Sequence, residues 1–158
     1  MRPLLGLLAV TAVIAGCGDG GVQGAEFVDA ETLTQTYTTA TGEVRRVDST
    51  LALVAVHPPA SELPVALPAG TKGSVADIEI TDEGADPFPV EWASFSARTK
   101  QGATLKEALR LPARRVDQDT QVVPVGFAVP DGDELASVGV RSIVTIWPFR
   151  AVLAVPKD

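Results

Sequence analysis

The sequence predicts an all-β fold, an antiparallel sandwich of about seven strands. Three observations carry this expectation. Apolar runs of strand length recur along the 158 residues, and Pro, Gly or Asp closes most of them. Several runs alternate apolar and polar residues with the period of two that half-buried strands need. No run holds a long helical period, and no segment repeats.

The first seventeen residues stand apart from that pattern. Arg2 gives a short positive start, residues 4–14 (LLGLLAVTAVI) an apolar run, and Ala15-Gly16 a small-residue step before Cys17. Such an order reads as a secretory signal. The run is well short of the roughly 20 apolar residues that a spanning helix needs. Ile14-Ala15-Gly16-Cys17 resembles the lipobox of bacterial lipoproteins. The resemblance implies that the Cys17 sulfur receives diacylglycerol and that cleavage makes Cys17 the first mature residue. Two acyl chains satisfy the two-signal requirement for stable anchoring. The expected partner is then the membrane, through lipid on Cys17, at the extracytoplasmic face of the cell membrane. Residues 18–24 (GDGGVQG) have the composition of a flexible tether. The expected division is 1–16 signal peptide, 17–29 lipidated cysteine and tether, and 30–158 sandwich domain.

The strands follow in order. Residues 32–39 (TLTQTYTT) place threonine on one face, with Leu33 and Tyr37 on the other. Residues 49–56 (STLALVAV) are apolar on both faces, and His57-Pro58-Pro59 ends them. In residues 73–80 (GSVADIEI), Ala76, Ile78 and Ile80 oppose Asp77 and Glu79. Residues 90–98 (VEWASFSAR) carry Trp92 and Phe95 on opposite faces. Thr104-Leu105-Lys106-Glu107 fits a capping box and predicts one short helical turn, stopped by Pro112. Residues 121–129 (QVVPVGFAV) put Val123, Val125, Phe127 and Val129 on one face, and Pro124 implies an edge or a bulge. Pro130-Asp131-Gly132 predicts a hairpin turn into residues 137–147, and residues 149–155 form a last strand. Seven strands at this spacing predict an immunoglobulin-like sandwich, with a small barrel as the competitor.

The segment from Lys72 to Val138 resembles an Ig-like domain of unknown function found in Gram-positive lipoproteins and secreted antigens. The resemblance rests on Ile78-Glu79-Ile80-Thr81, Trp92-Ala93-Ser94-Phe95, Lys100-Gln101-Gly102, Gly126-Phe127-Ala128-Val129-Pro130 and Leu135. Asp82-Glu83-Gly84 stands where such domains commonly have asparagine. The family implies an extracytoplasmic binding or accessory role and no reaction.

Composition narrows the chemistry. Thirteen basic residues face 20 acidic ones, and removing Arg2 with the signal leaves 12 against 20, a balance of −8. A chain so acidic does not attract nucleic acid through its general field. Cys17 is the only cysteine, so no disulfide forms within the chain. His57 is the only side chain whose ordinary titration suits a hydrolytic base, and no G-x-S-x-G elbow accompanies it. Two acidic turns, Asp82-Glu83-Asp86 and Asp131-Asp133-Glu134, hold oxygen ligands that calcium could use, without EF-hand spacing. Arg45-Arg46 and Arg114-Arg115 read as solvated surface, and Trp92, Phe95, Trp147 and Phe149 as core. The expectation is a non-enzymatic module with no cofactor that binds a protein or envelope component. The alternatives are a small-ligand or calcium-binding module and a hydrolase using His57.

Overall fold

The computed structural model describes residues 30–143 and 150–157. Cys17, Trp147 and Phe149 lie outside them. Ten strands occur among the described residues: β1 (Ala30–Thr38), β2 (Val44–His57), β3 (Thr71–Asp82), β4 (Ala93–Thr99), β5 (Thr104–Lys106), β6 (Leu109–Arg110), β7 (Arg114–Arg115), β8 (Thr120–Pro130), β9 (Leu135–Ser142) and β10 (Arg150–Ala154). Seven are long; β5, β6 and β7 have three, two and two residues. They form two antiparallel sheets. One runs β1-β2-β3-β8-β6, with β7 also on β8; the other runs β10-β9-β4-β5. Two separate sheets make a sandwich rather than a single closed barrel. The order β2-β3-β8-β6/β7 against β10-β9-β4 follows the A-B-E-D and G-F-C order of immunoglobulin sandwiches. Strand β1 is an addition outside that order.

Alternation builds the core. Ala76, Ile78 and Ile80 of β3 meet Val123, Val125, Phe127 and Val129 of β8, all at most 1 % exposed. The register pairs Ala76 with Val125 and Ile78 with Val123. Phe95 and Ala97 of β4, Val138 and Val140 of β9, and Leu153 of β10 close the core from the other sheet. Each Val, Leu, Ile or Phe side chain among them contributes about 1.5–3 kcal/mol when removed from water.

Three expectations are corrected by the pairing. Residues 104–107 do not form a helical turn. Thr104 and Lys106 are exposed around a half-buried Leu105, and the segment pairs with β4 as β5. Strand period wins over the capping box because the edge of β4 is there to be paired. The short helical element is a 3₁₀ turn at Val90–Trp92, so strand β4 begins only at Ala93. Trp92 therefore lies in that turn, partly buried against the core, and not across a strand from Phe95.

The Pro130-Asp131-Gly132 turn forms, with Asp133 N–H donating to Pro130 O at 3.0 Å and Gly132 at φ +80°. It does not close a hairpin. β8 pairs β3 on one side and β6 and β7 on the other, so no edge remains for β9. The turn instead carries the chain to the other sheet. Pro124 lies inside the sheet, beside the break between β6 and β7. Leu111 N–H donates to Pro124 O at 2.9 Å, so the side of β8 that lacks an N–H faces that break.

The outer face of the larger sheet is also covered. Val75 and Val122 are 1 % and 3 % exposed, although neither belongs to the core between the sheets. Pro59 and Leu63, in the connection between β2 and β3, lie against Gly73 on this face, and Leu63 is buried. A Cβ on Gly73 would come within 3.0 Å of Leu63 Cδ1, so glycine lets the cover close.

Phe127 and Val44 give opposite expectations. Phe127→Ala empties a fully buried site and is expected to cost about 3–5 kcal/mol. Val44 is 65 % exposed, and Val44→Ala is expected to stay within about 0.5 kcal/mol. Urea unfolding of the two variants checks the difference.

Candidate functional site

The candidate site is a cleft of about 660 Å³ at one end of the sandwich. Two irregularities open it. The β2–β3 register shifts between Leu53 and Ala55, so the end of β2 bulges at Val54. The 130–134 turn crosses between sheets at the same end. Val56 and Val155 give the cleft apolar walls, while His57, Lys72 and Glu134 bring polar groups to it.

His57 sits at the end of β2. Its Nδ1 lies 2.7 Å from Pro58 O and its Nε2 3.3 Å from Asp77 Oδ2. Arg114 Nη2 donates to the same Oδ2 at 2.8 Å. Both ring nitrogens therefore face acceptor oxygens, and neither is placed against a serine hydroxyl. A hydrolytic base needs one nitrogen free for the nucleophile's proton.

Asp77 lies on the face that alternation implies, and its burial is what alternation does not show. It points to the outer face with Val75, as its period requires, yet it is only 5 % exposed. Its Oδ1 has no hydrogen-bond partner among the described residues. Arg114, read from the sequence as solvated, is the partner that makes this burial tolerable. Nothing local signals the contact, because 37 positions separate the two residues.

The acidic turns are placed apart and are already occupied. Asp82 Oδ1 accepts from Ser49 Oγ at 2.8 Å and from Phe88 N–H at 2.9 Å. Glu83 Oε1 accepts from Thr50 Oγ1 at 3.2 Å. Asp86 accepts from Arg45 Nη1 at 2.8 Å and from Arg46 N–H at 2.9 Å. These bonds fasten residues 83–89 along β2. In the second turn, Asp133 Oδ1 accepts from Gln101 N–H at 3.2 Å and Glu134 N–H at 2.8 Å, and Glu134 pairs with Lys100. Asp131 donates its backbone N–H to Gly70 O at 2.9 Å, and its side chain is exposed. Among the described residues, no three His, Cys, Asp or Glu side chains converge as metal ligands would. Arg46 reaches Asp48 at 2.9 Å and Arg115 reaches Gln118 O at 2.6 Å, so the basic pairs are fasteners as well.

No protein-family model matches the chain, and neither a curated protein nor a solved structure matches it. No helix among the described residues is long and apolar enough to cross a membrane.

Several of these carboxyls are held below the usual range. The Arg45 hydrogen bond does so for Asp86, and the Lys100 hydrogen bond for Glu134. Thr34 and then Arg46 do so for Asp48, and the Asp119 backbone N–H for Asp117. At Asp133 burial opposes the charge, but bonds from Thr99 and two backbone N–H groups outweigh it.

A carboxyl whose folded pKa is depressed stabilises the fold above its unfolded value, and that contribution is lost as pH falls through the folded value. Unfolded Asp and Glu titrate near about 4. The melting temperature is therefore expected to fall steadily as pH drops from about 5 toward 2. Circular dichroism melts across that range check it, and a flat profile would contradict these contacts. Arg114→Ala leaves the buried Asp77 carboxyl with His57 alone and is expected to cost about 1–3 kcal/mol. Denaturant unfolding of Arg114→Ala beside Arg115→Ala, which removes only an exposed bond to Gln118 O and is expected to cost less, measures that loss.

Proposed function

We propose that this chain is a lipid-anchored, extracytoplasmic binding module without catalytic activity, serving a protein or envelope component. One observation carries the reading. An apolar run too short to span a bilayer ends at the only cysteine, and the sandwich begins at Ala30. The twelve residues 18–29 reach at most about 40 Å when extended. That is enough to hold an acidic domain clear of anionic headgroups. The reading without catalysis is supported by His57, both of whose ring nitrogens are engaged by oxygens. An immunoglobulin-like topology suits such a role, because loops at either end of a rigid sandwich can vary without cost to the core.

The second reading, a small-ligand module, is favoured by the cleft. Its volume of about 660 Å³ lies within the 300–1,000 Å³ typical of small-molecule sites. Under this reading Lys72 and Glu134 orient the ligand at the mouth and the valines receive its apolar part.

Mass spectrometry of the protein from its native membrane tests the anchor. The expected product begins at Cys17 and carries a diacylglyceryl group, and Cys17→Ala is expected to release the chain from the membrane fraction. An unmodified Cys17 inside an uncut chain would overturn the reading. Crosslinking in intact membranes, compared between the natural chain and Lys72→Glu, locates the surface that the first reading's partner occupies. A partner protein lost with Lys72→Glu places binding at the cleft, and one retained places it elsewhere.

A further inference from the structure

Strand β1 is not needed to complete the sandwich. It extends the larger sheet by one strand, and all nine of its residues pair with β2, from Ala30↔Ala52 to Thr38↔Val44, without a bulge. Among the described residues no strand pairs its outer edge. A free edge presents a row of N–H and C=O groups that templates another strand. Proteins blunt such edges with lysine, proline, bulges or very short strands. AETLTQTYT has none of these devices, and its one charge, Glu31, lies near its start.

The order of residues indicates which strand fits. TLTQTYT reads nearly the same in both directions about Gln35. In antiparallel pairing with a second copy centred there, Thr32 comes opposite Thr38, Thr34 opposite Thr36, and Leu33 opposite Tyr37. Moving the centre to Thr34 still sets threonine against threonine, but it puts Leu33 opposite Gln35 and Glu31 opposite Tyr37. A two-fold contact must be self-complementary. Threonine pairs and aromatic–aliphatic pairs across strands favour such a contact, and like charges oppose it. Thr34, Thr36 and Thr38 are exposed, and their face brings no charge of its own to the seam.

We propose that β1 pairs edge to edge with β1 of a second copy of this chain, centred on Gln35, and joins the two larger sheets into one across a two-fold axis. The pairing is independent of whether Cys17 carries lipid.

The test uses the full chain with Cys17→Ser, which leaves it free of cysteine. Into this background Thr34→Cys and Thr36→Cys are introduced separately. The geometry expects rapid disulfide formation when the two variants are mixed, because positions directly opposite across strands lie about 4.5–5.5 Å apart at Cα, within disulfide range. Either variant alone is expected to crosslink several-fold less. In sedimentation, the Cys17→Ser chain in mild detergent is expected to behave as a dimer. Adding Thr34→Lys and Thr36→Lys together is expected to give a monomer with an unchanged circular dichroism spectrum. A mixture that crosslinks no better than the single variants overturns the proposal. So does a chain that stays monomeric at about 100 µM, whether its edge is taken by another protein or by a segment outside the described residues.

Discussion

The structure depends on the saturation of β8. This strand pairs with β3 over eleven positions and with β6 and β7 on its other side. A strand has only two edges, so the chain leaving Pro130 has nowhere in that sheet to go. It crosses to the second sheet, and β9 then pairs with β4 and β10. The crossing fixes the 130–134 turn at one end of the sandwich, where it meets the bulged end of β2. The cleft is the space left between a turn that must cross and a strand that does not run straight. It follows from topology rather than from any motif.

The carboxylates serve that topology. Connections that cross between sheets have only scattered backbone bonds, such as Glu83 N–H to Asp48 O and Asp131 N–H to Gly70 O, and side-chain acceptors add to them. Asp133 gathers backbone donors from the 99–103 turn and from its own turn, and Asp82 and Asp86 tie residues 83–89 to β2. An acidic sequence thus becomes a set of fasteners for loops.

The alternating runs were legible because they need nothing beyond period two. Ala76-Ile78-Ile80 and Val123-Val125-Phe127-Val129 lie on the faces that their spacing implies. What failed was decided by distant partners. The capping pattern at 104–107 is real as a pattern, but the open edge of β4 competes for the same residues and wins. The hairpin after Pro130 is a sound reading of local turn chemistry, and only the filled edges of β8 refute it. Asp77 follows its period faithfully, and the partners of its buried carboxyl are His57 and Arg114, 20 and 37 positions away, which no short window includes. Site geometry was therefore less legible than strand identity: strands are local, whereas the contacts of His57, Asp77 and Arg114 are not.

Arg110 gives the two sheets a connection of a different kind. It belongs to β6, yet its guanidinium lies 4.7 Å from the centre of the Phe95 ring and donates to Val90 O at 2.9 Å and Ala93 O at 2.8 Å, besides bonding Glu107. A guanidinium keeps its charge at every pH a protein survives, and carbonyls and rings do not titrate. Of the four partners only Glu107 is a carboxylate. The molecule thus has two classes of joint, one that acid undoes and one that it does not. Acidification should unfasten the loops of residues 83–89 and 130–134 first and leave the sheets still hooked together at β6, so that the earliest acid form is a sandwich with loosened ends rather than a pair of separated sheets.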